Sequence, residues 1–188
     1  MKRISVPVFL FLLLLPSIVV GASTSEKEGV LINLQTKDLS MIMTVGKDSV
    51  VYFHHFGKKI EDATPFLRKK SYRRDDYGTD PHAYLAAGGS NYREPALLVT
   101  HSDGDLNTEL AYVGHQQEKL GDGNVVQTTI TMQDKKLPLV VQLIVTAYTR
   151  ENVFTQKVNI TNKQKQDVVL HNFYSSYLPI RAKKYYLN

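Results

Sequence analysis

An amide, a phenol and a guanidinium stand in a row at Asn91, Tyr92 and Arg93, inside the stretch GGSNYREPAL that runs from Gly88 to Leu97. The two glycines ahead of them allow a sharp turn or a close approach to a ligand. Pro95 then opens the next expected strand. Such a set suits sugar recognition: the amide donates and accepts, the guanidinium offers five N–H donors, and the ring can cover an apolar sugar face. The same residues also fit a glycine turn in which Arg93 pairs with Glu94 or Asp80. Taken by themselves, the residues leave both readings open.

Other groups of reactive residues are less organised. The chain has six histidines and no cysteine. His54 and His55 are neighbours in an expected strand, so their side chains should leave opposite faces. His82, His101, His115 and His171 fall on separate elements, so no metal site and no cofactor is expected. Asp103, Asp105 and Asn107 begin like a calcium loop, but Thr108 stands where that loop needs Gly and Gly114 where it needs Glu. An Asp-Gly turn is the better fit. Hydrolysis of a glycoside by paired carboxylates needs two acids aimed at one bond. Asp75 and Asp76 are adjacent, which does not make them face each other, and Arg73 and Arg74 beside them suit ion pairing. Asn159-Ile160-Thr161 matches the short N-glycosylation pattern.

The elements that must position these residues read as strands. In NVFTQKVNIT, Phe154, Gln156, Val158 and Ile160 share one face, while Thr155, Lys157, Asn159 and Thr161 share the other. That is a strand with one buried side. LPLVVQLIVTAYT, just before it, is apolar on both faces, as a central covered strand should be. Further strands are expected at Val30–Gln35, Leu39–Val45, Val50–Phe56, Ala96–His101, Glu109–His115, Val125–Met132 and Val168–Tyr174. GKDS, SDGD, GDGN and TNKQKQD supply turn residues between them. No window shows a helical stripe, so the expected class is all-β: nine or ten strands in two packed antiparallel sheets.

One stretch breaks this rhythm. From Asp62 to Tyr92 the chain has 31 residues with no clear strand. Insertions of that length in a compact domain are commonly functional. Phe66, Leu67, Tyr72, Tyr77, Tyr84 and Leu85 give this one material to pack.

The ends and the charge complete the picture. Lys2 and Arg3, an apolar run from Val6 to Val20 broken by Pro7 and Pro16, and then Gly21, Ala22 and Ser23 describe a secretory signal peptide cleaved after Ala22. A membrane anchor fits less well, because the run is shorter than the about 20 apolar residues of a span. The mature domain would be residues 23–188, in the periplasm or outside the cell, with no membrane span after cleavage. Its net charge would fall from +5 by two, to +3. The basic pairs are scattered beside turns, which argues against a nucleic-acid partner. With no cysteine, stability must come from burial and sheet pairing.

VVYFHHFGKKIED, then GGSNYREPALLVTHSDGDLNTELAYVGH, and late NITNKQKQDVVLHNFYSSYLPIRAKKYYLN, resemble the N-terminal domain of family thirty-six glycoside hydrolases, the melibiase-type α-galactosidases. Asn91 stands where that family commonly has Asp, and Ser90 where it has Gly. The resemblance implies a large β-sandwich of the supersandwich, galactose-mutarotase-like kind, followed by a Gly-x-Trp segment and a catalytic (β/α)₈ barrel. The chain has no Trp and neither catalytic aspartate motif of the barrel. The family's retaining chemistry therefore maps onto no residue here, and the chain alone is expected to be inactive. The resemblance also implies a homotetramer in which sandwich loops reach a neighbour's active site and meet the terminal galactose. The matching loop is the irregular stretch, with Asn91 and Arg93 as α-galactoside contacts and Tyr77, Asp75 and Asp76 as further ones. A second reading is a stand-alone secreted carbohydrate-binding β-sandwich module.

Overall fold

A computed structural model describes residues 29–68, 80–88 and 92–179, and among these it contains nine strands and one short 3₁₀ turn. The strands are β1 (Val30–Gln35), β2 (Leu39–Val45), β3 (Val51–Lys58), β4 (Leu97–Thr100), β5 (Leu110–Leu120), β6 (Val125–Asp134), β7 (Leu139–Tyr148), β8 (Val153–Asn162) and β9 (Val169–Phe173). They form three antiparallel sheets, β1-β2-β3, β4-β9 and β5-β6-β7-β8. The expected all-β, antiparallel sandwich is the architecture found. The expected signal peptide, residues 1–22, lies outside the described residues.

The inner faces follow from side-chain alternation. Ile32 and Leu34 of β1, Met41 and Met43 of β2, and Phe53 of β3 join Ile130, Met132, Leu143 and Val145 of the four-stranded sheet in one buried cluster. Leu97 and Val99 of β4 belong to the same cluster, so both smaller sheets contribute to one core. Burying a side chain of this size stabilises the fold by about 1.5–3 kcal/mol.

β7 is the central strand the sequence implies. It pairs with β6 on one side and β8 on the other, and Leu139, Val141, Leu143, Val145 and Ala147 are buried on its inner face. Val140 and Ile144 on the opposite face are also buried. In β8, Phe154, Gln156, Val158 and Ile160 are half-buried and alternate with exposed Thr155, Lys157, Asn159 and Thr161. Phe154 meets Phe56 of β3 edge-on, with ring centroids 5.9 Å apart.

Turn chemistry closes one end of the sandwich. Asp38 and Asn152, far apart in sequence, join by two bonds: the Asp38 amide donates to Asn152 Oδ1 (2.8 Å) and Asn152 Nδ2 to Asp38 Oδ2 (2.7 Å). The Asp-Gly turn is also as expected, since Asp103 Oδ1 accepts from the Asp105 amide (3.0 Å) and Asp105 Oδ1 from the Asn107 amide (2.9 Å).

Two features depart from simple alternation. β5 runs to Leu120, five residues past its expected end, because it pairs with β6 as far as Val125 through the Gly121–Asn124 hairpin. Gln116 to Lys119 are exposed there and carry no apolar signal. In β3 a bulge shifts the register at His54: Phe53 stands opposite Met43, and His55 opposite Ile42. Both His54 and His55 therefore approach the Phe66 ring, at 5.6 and 6.5 Å, instead of leaving opposite faces. A bulge inserts one residue and re-aims the side chains around it. His54 Nε2 bonds Thr44 Oγ1 (2.7 Å) and His55 Nε2 bonds the Lys58 carbonyl (2.9 Å). Among the described residues no three His, Asp or Glu side chains gather as a metal site.

Candidate binding site around the irregular segment

The irregular segment begins as a cover on the outer face of the β1-β2-β3 sheet. After β3 the Ile60 amide donates to Ser40 Oγ (3.0 Å), and Gln35 Nε2 donates to the Ile60 carbonyl (3.1 Å). Asp62 Oδ1 then accepts from the Thr64 amide (2.9 Å) and hydroxyl (2.7 Å), opening the 3₁₀ turn Thr64–Arg68. Asp at such a position satisfies amides that have no partner inside a helical turn. The turn packs against β1 and brings Phe66 to the two histidines.

Where the segment returns, it behaves as a splice between two sheets. The Phe53 amide donates to the Pro81 carbonyl (2.7 Å) and the Ala83 amide to the Val51 carbonyl (2.8 Å), so residues 81–83 lie antiparallel along the free edge of β3. Leu85 then changes partner: its carbonyl accepts from the Ala96 (2.8 Å) and Leu97 (3.1 Å) amides, and the Ala87 amide donates to the Leu97 carbonyl (2.8 Å). The three-stranded and two-stranded sheets thereby become one continuous layer. This corrects the expectation that the whole insertion lacks strand character. Ala83, Tyr84, Leu85 and Ala86 are all buried. A consecutive apolar run with no alternation hides a strand-like splice from period-two reading.

Beside the splice lies a cleft of about 210 Å³, lined by Asp48, Tyr52, Asp80, His82, Glu109 and Lys135 around an apolar floor that includes Val51, Tyr84 and Met132. Asp48 Oδ2 accepts from the Tyr52 hydroxyl (2.5 Å), and Oδ1 accepts from the Val50 amide (3.1 Å). The His82 ring stands perpendicular to Tyr52 at 5.7 Å. Burial pushes the His82 imidazole below its usual range, although Asp80 and Asp48 pull it the other way. Glu109 is held by Lys135 at 3.2 Å. Hydrogen bonds and ion pairs thus engage Asp48 and Glu109 within the fold. Gly88 closes the splice with φ +149°, where a Cβ would strike the Asn107 side chain and the Thr108 backbone. Thr108 in turn donates its amide to the Ala87 carbonyl (2.6 Å).

Of the residues singled out from the sequence, Arg93 is described and half-buried, in a bend just before β4. Asn91, Tyr77, Asp75 and Asp76 lie outside the described residues. Glu94, one of the two partners considered for Arg93, accepts a hydrogen bond from the Tyr174 hydroxyl at 2.9 Å. This bond and the carboxylate charge raise the Tyr174 phenol. Tyr84 is the residue that sequence reasoning undervalued. Its buried hydroxyl lies 3.0 Å from the Tyr174 carbonyl and 3.3 Å from that of Ala96, and burial pushes it up to about 12. Nothing local distinguishes it from the other tyrosines of the insertion, because its partners are 12 and 90 positions away.

With fold and geometry in view, residues 50–188 match the glycosyl hydrolase family 36 N-terminal domain. The chain belongs to that family. Among solved structures, the α-galactosidase of Lactobacillus brevis superposes with a TM-score of 0.71 at 21% identity, over 81% of this chain and 24% of that one. The galactosidase domain of the α-galactosidase–sucrose kinase AgaSK gives 0.71 at 15% identity, over 79% and 25%. The α-galactosidase AgaA of Geobacillus stearothermophilus gives 0.68 at 22%, over 78% and 24%; an AgaA variant has been solved with raffinose. The chain spans about a quarter of the length of each. These likenesses show a shared fold. No match was found among curated proteins.

Proposed function

We propose that this chain is the N-terminal β-sandwich of an exported α-galactosidase and supplies substrate-site and assembly contacts rather than catalytic carboxylates. The observation that carries the reading is the family match over residues 50–188, joined to coverage of only a quarter of α-galactosidase chains. In this reading the signal at residues 1–22 directs export, and a catalytic (β/α)₈ barrel is the partner that supplies the reacting carboxylates. Assembly as a tetramer brings the irregular segment to a neighbour's active site. There Arg93 offers paired donors to a sugar hydroxyl, while Asn91 both donates and accepts. Tyr77, Asp75 and Asp76 are further contacts from the same segment.

The test is steady-state hydrolysis of an aryl α-galactoside and of raffinose. Residues 23–188 alone should show no turnover. In an enzyme that joins them to a family catalytic barrel, Arg93→Ala should lower kcat/KM by roughly ten- to a hundredfold, the loss of a hydrogen bond to a charged group. Asn91→Asp, which restores the common family residue, should preserve activity. Wild-type kcat/KM for Arg93→Ala in an intact tetramer would reject the site. Raffinose binding by the isolated chain in calorimetry would favour the stand-alone module instead.

A further inference from the structure

Three separate stretches of the chain meet at one buried oxygen. Tyr84 comes from the splice, Ala96 from the entrance to β4, and Tyr174 from the exit of β9. A phenol has one proton, so Tyr84 donates to the nearer carbonyl, that of Tyr174 (3.0 Å), with Ala96 O at 3.3 Å. The Ala96 carbonyl also accepts the Tyr174 amide at 2.8 Å. Tyr174 then reaches back, its hydroxyl donating to Glu94 Oε1 at 2.9 Å. Glu94 and Ala96 are thus held through a side chain and a backbone carbonyl, and Pro95 between them has a fixed φ. Arg93 is the next residue along.

We infer that Tyr84 and Tyr174 form a latch that positions Arg93, acting through Glu94 and Ala96 without touching substrate themselves. The substrate part of this inference rests on Arg93 being a galactoside contact. The geometric part does not. Packing alone does not require either hydroxyl, because phenylalanine would fill the same space. What phenylalanine removes at position 84 is the donor joining the splice to the exit of β9, and at position 174 the donor that fixes Glu94.

The test has two arms. In the isolated chain, Tyr84→Phe should shift the NMR resonances of Arg93 Nε–H and of the Arg93, Glu94 and Ala96 amides, while those of β6 and β7 stay in place. Shifts report native geometry and do not move with global stability alone. Unchanged resonances at residues 93–96 would overturn the latch. In the barrel-joined enzyme, Tyr84→Phe should lower kcat/KM per active site by about two- to tenfold, the range of one neutral hydrogen bond. It should add nothing in an Arg93→Ala background, because positioning acts through that side chain. A full additive loss would overturn positioning and leave a merely structural role. Glu94→Gln keeps an acceptor for the Tyr174 hydroxyl and should match wild type, whereas Glu94→Ala should reproduce the loss seen with Tyr174→Phe. If Arg93→Ala leaves kcat/KM unchanged, the recognition reading fails, while shifted resonances still uphold the latch.

Discussion

The β5-β6-β7-β8 sheet and the region from Lys59 to Leu97 are built on opposite principles. In the sheet, strands of 10 or 11 residues pair in register over nearly their whole length. In the other region, almost every anchor has a different partner: Ser40 for Ile60, Val51 for Ala83, Leu85 for Ala96, Thr108 for Ala87. A ladder spreads its stability over many equivalent backbone bonds. A splice concentrates specificity in a few residues that nothing else replaces. The irregular region also carries Arg93 and one wall of the cleft, in keeping with the tendency of binding groups to sit on loops held by a rigid scaffold.

The largest effect should come from the ladder's apolar side. Leu143 is fully buried in the shared cluster, and Leu143→Ala should lower the unfolding free energy by about 2–5 kcal/mol. With no tryptophan in the chain, the measurement is urea unfolding followed by far-UV circular dichroism. A loss below about 1 kcal/mol would mean that the sheets do not share one core.

Next in size is the splice itself. Gly88→Ala combines strained φ with collision against Thr108, and should cost about 2–4 kcal/mol. Gly104 also has positive φ, +88°, but a Cβ there meets nothing within 4 Å. Gly104→Ala should therefore cost about 1–2 kcal/mol, the strain alone. Equal losses in the two variants would show that the close approach at Thr108 contributes nothing.

The smallest effect is a pH dependence specific to the cleft. Burial holds the His82 imidazole below its ordinary value of 6.5, against the pull of Asp80 and Asp48. The unfolded chain therefore binds the proton more readily than the folded one. Its contribution to stability is full above the unfolded value and declines as pH falls through 6.5 toward the lower folded value. His82→Gln should flatten the stability profile on the acid side of 6.5. An identical profile for the two proteins would remove His82 as a source of the acid sensitivity.

Period-two patterns made most of this fold legible from residue types. β8 shows the alternation read from Phe154 to Thr161, and β7 is buried on both faces as Leu137 to Thr149 suggested. What escaped that reading had a physical cause in each case. Gln116 to Lys119 extend β5 through pairing with β6 and not through burial. His54 sits at a bulge set by its partner strand. Residues 81–87 take their backbone hydrogen bonds first from β3, then from Ala96 and Leu97, and finally from Thr108. Of the proposed sugar contacts, Arg93 lies half-buried in a bend before β4, whereas Asn91, Tyr77, Asp75 and Asp76 fall outside the described residues.

Local chemistry settles which residues must be buried, where the chain can turn and which short stretch resembles a known family, because alternation, glycine and proline act within a few positions. Which elements meet is decided over tens of residues, by closure of a common core. Tyr84 becomes a latch only when the exit of β9 arrives 90 positions later, and Gly88 gains its steric constraint only once Asn107 and Thr108 are pressed against it. Contacts of that range carry no signature in the residues that make them. They exist because the splice joins two sheets around one set of buried side chains.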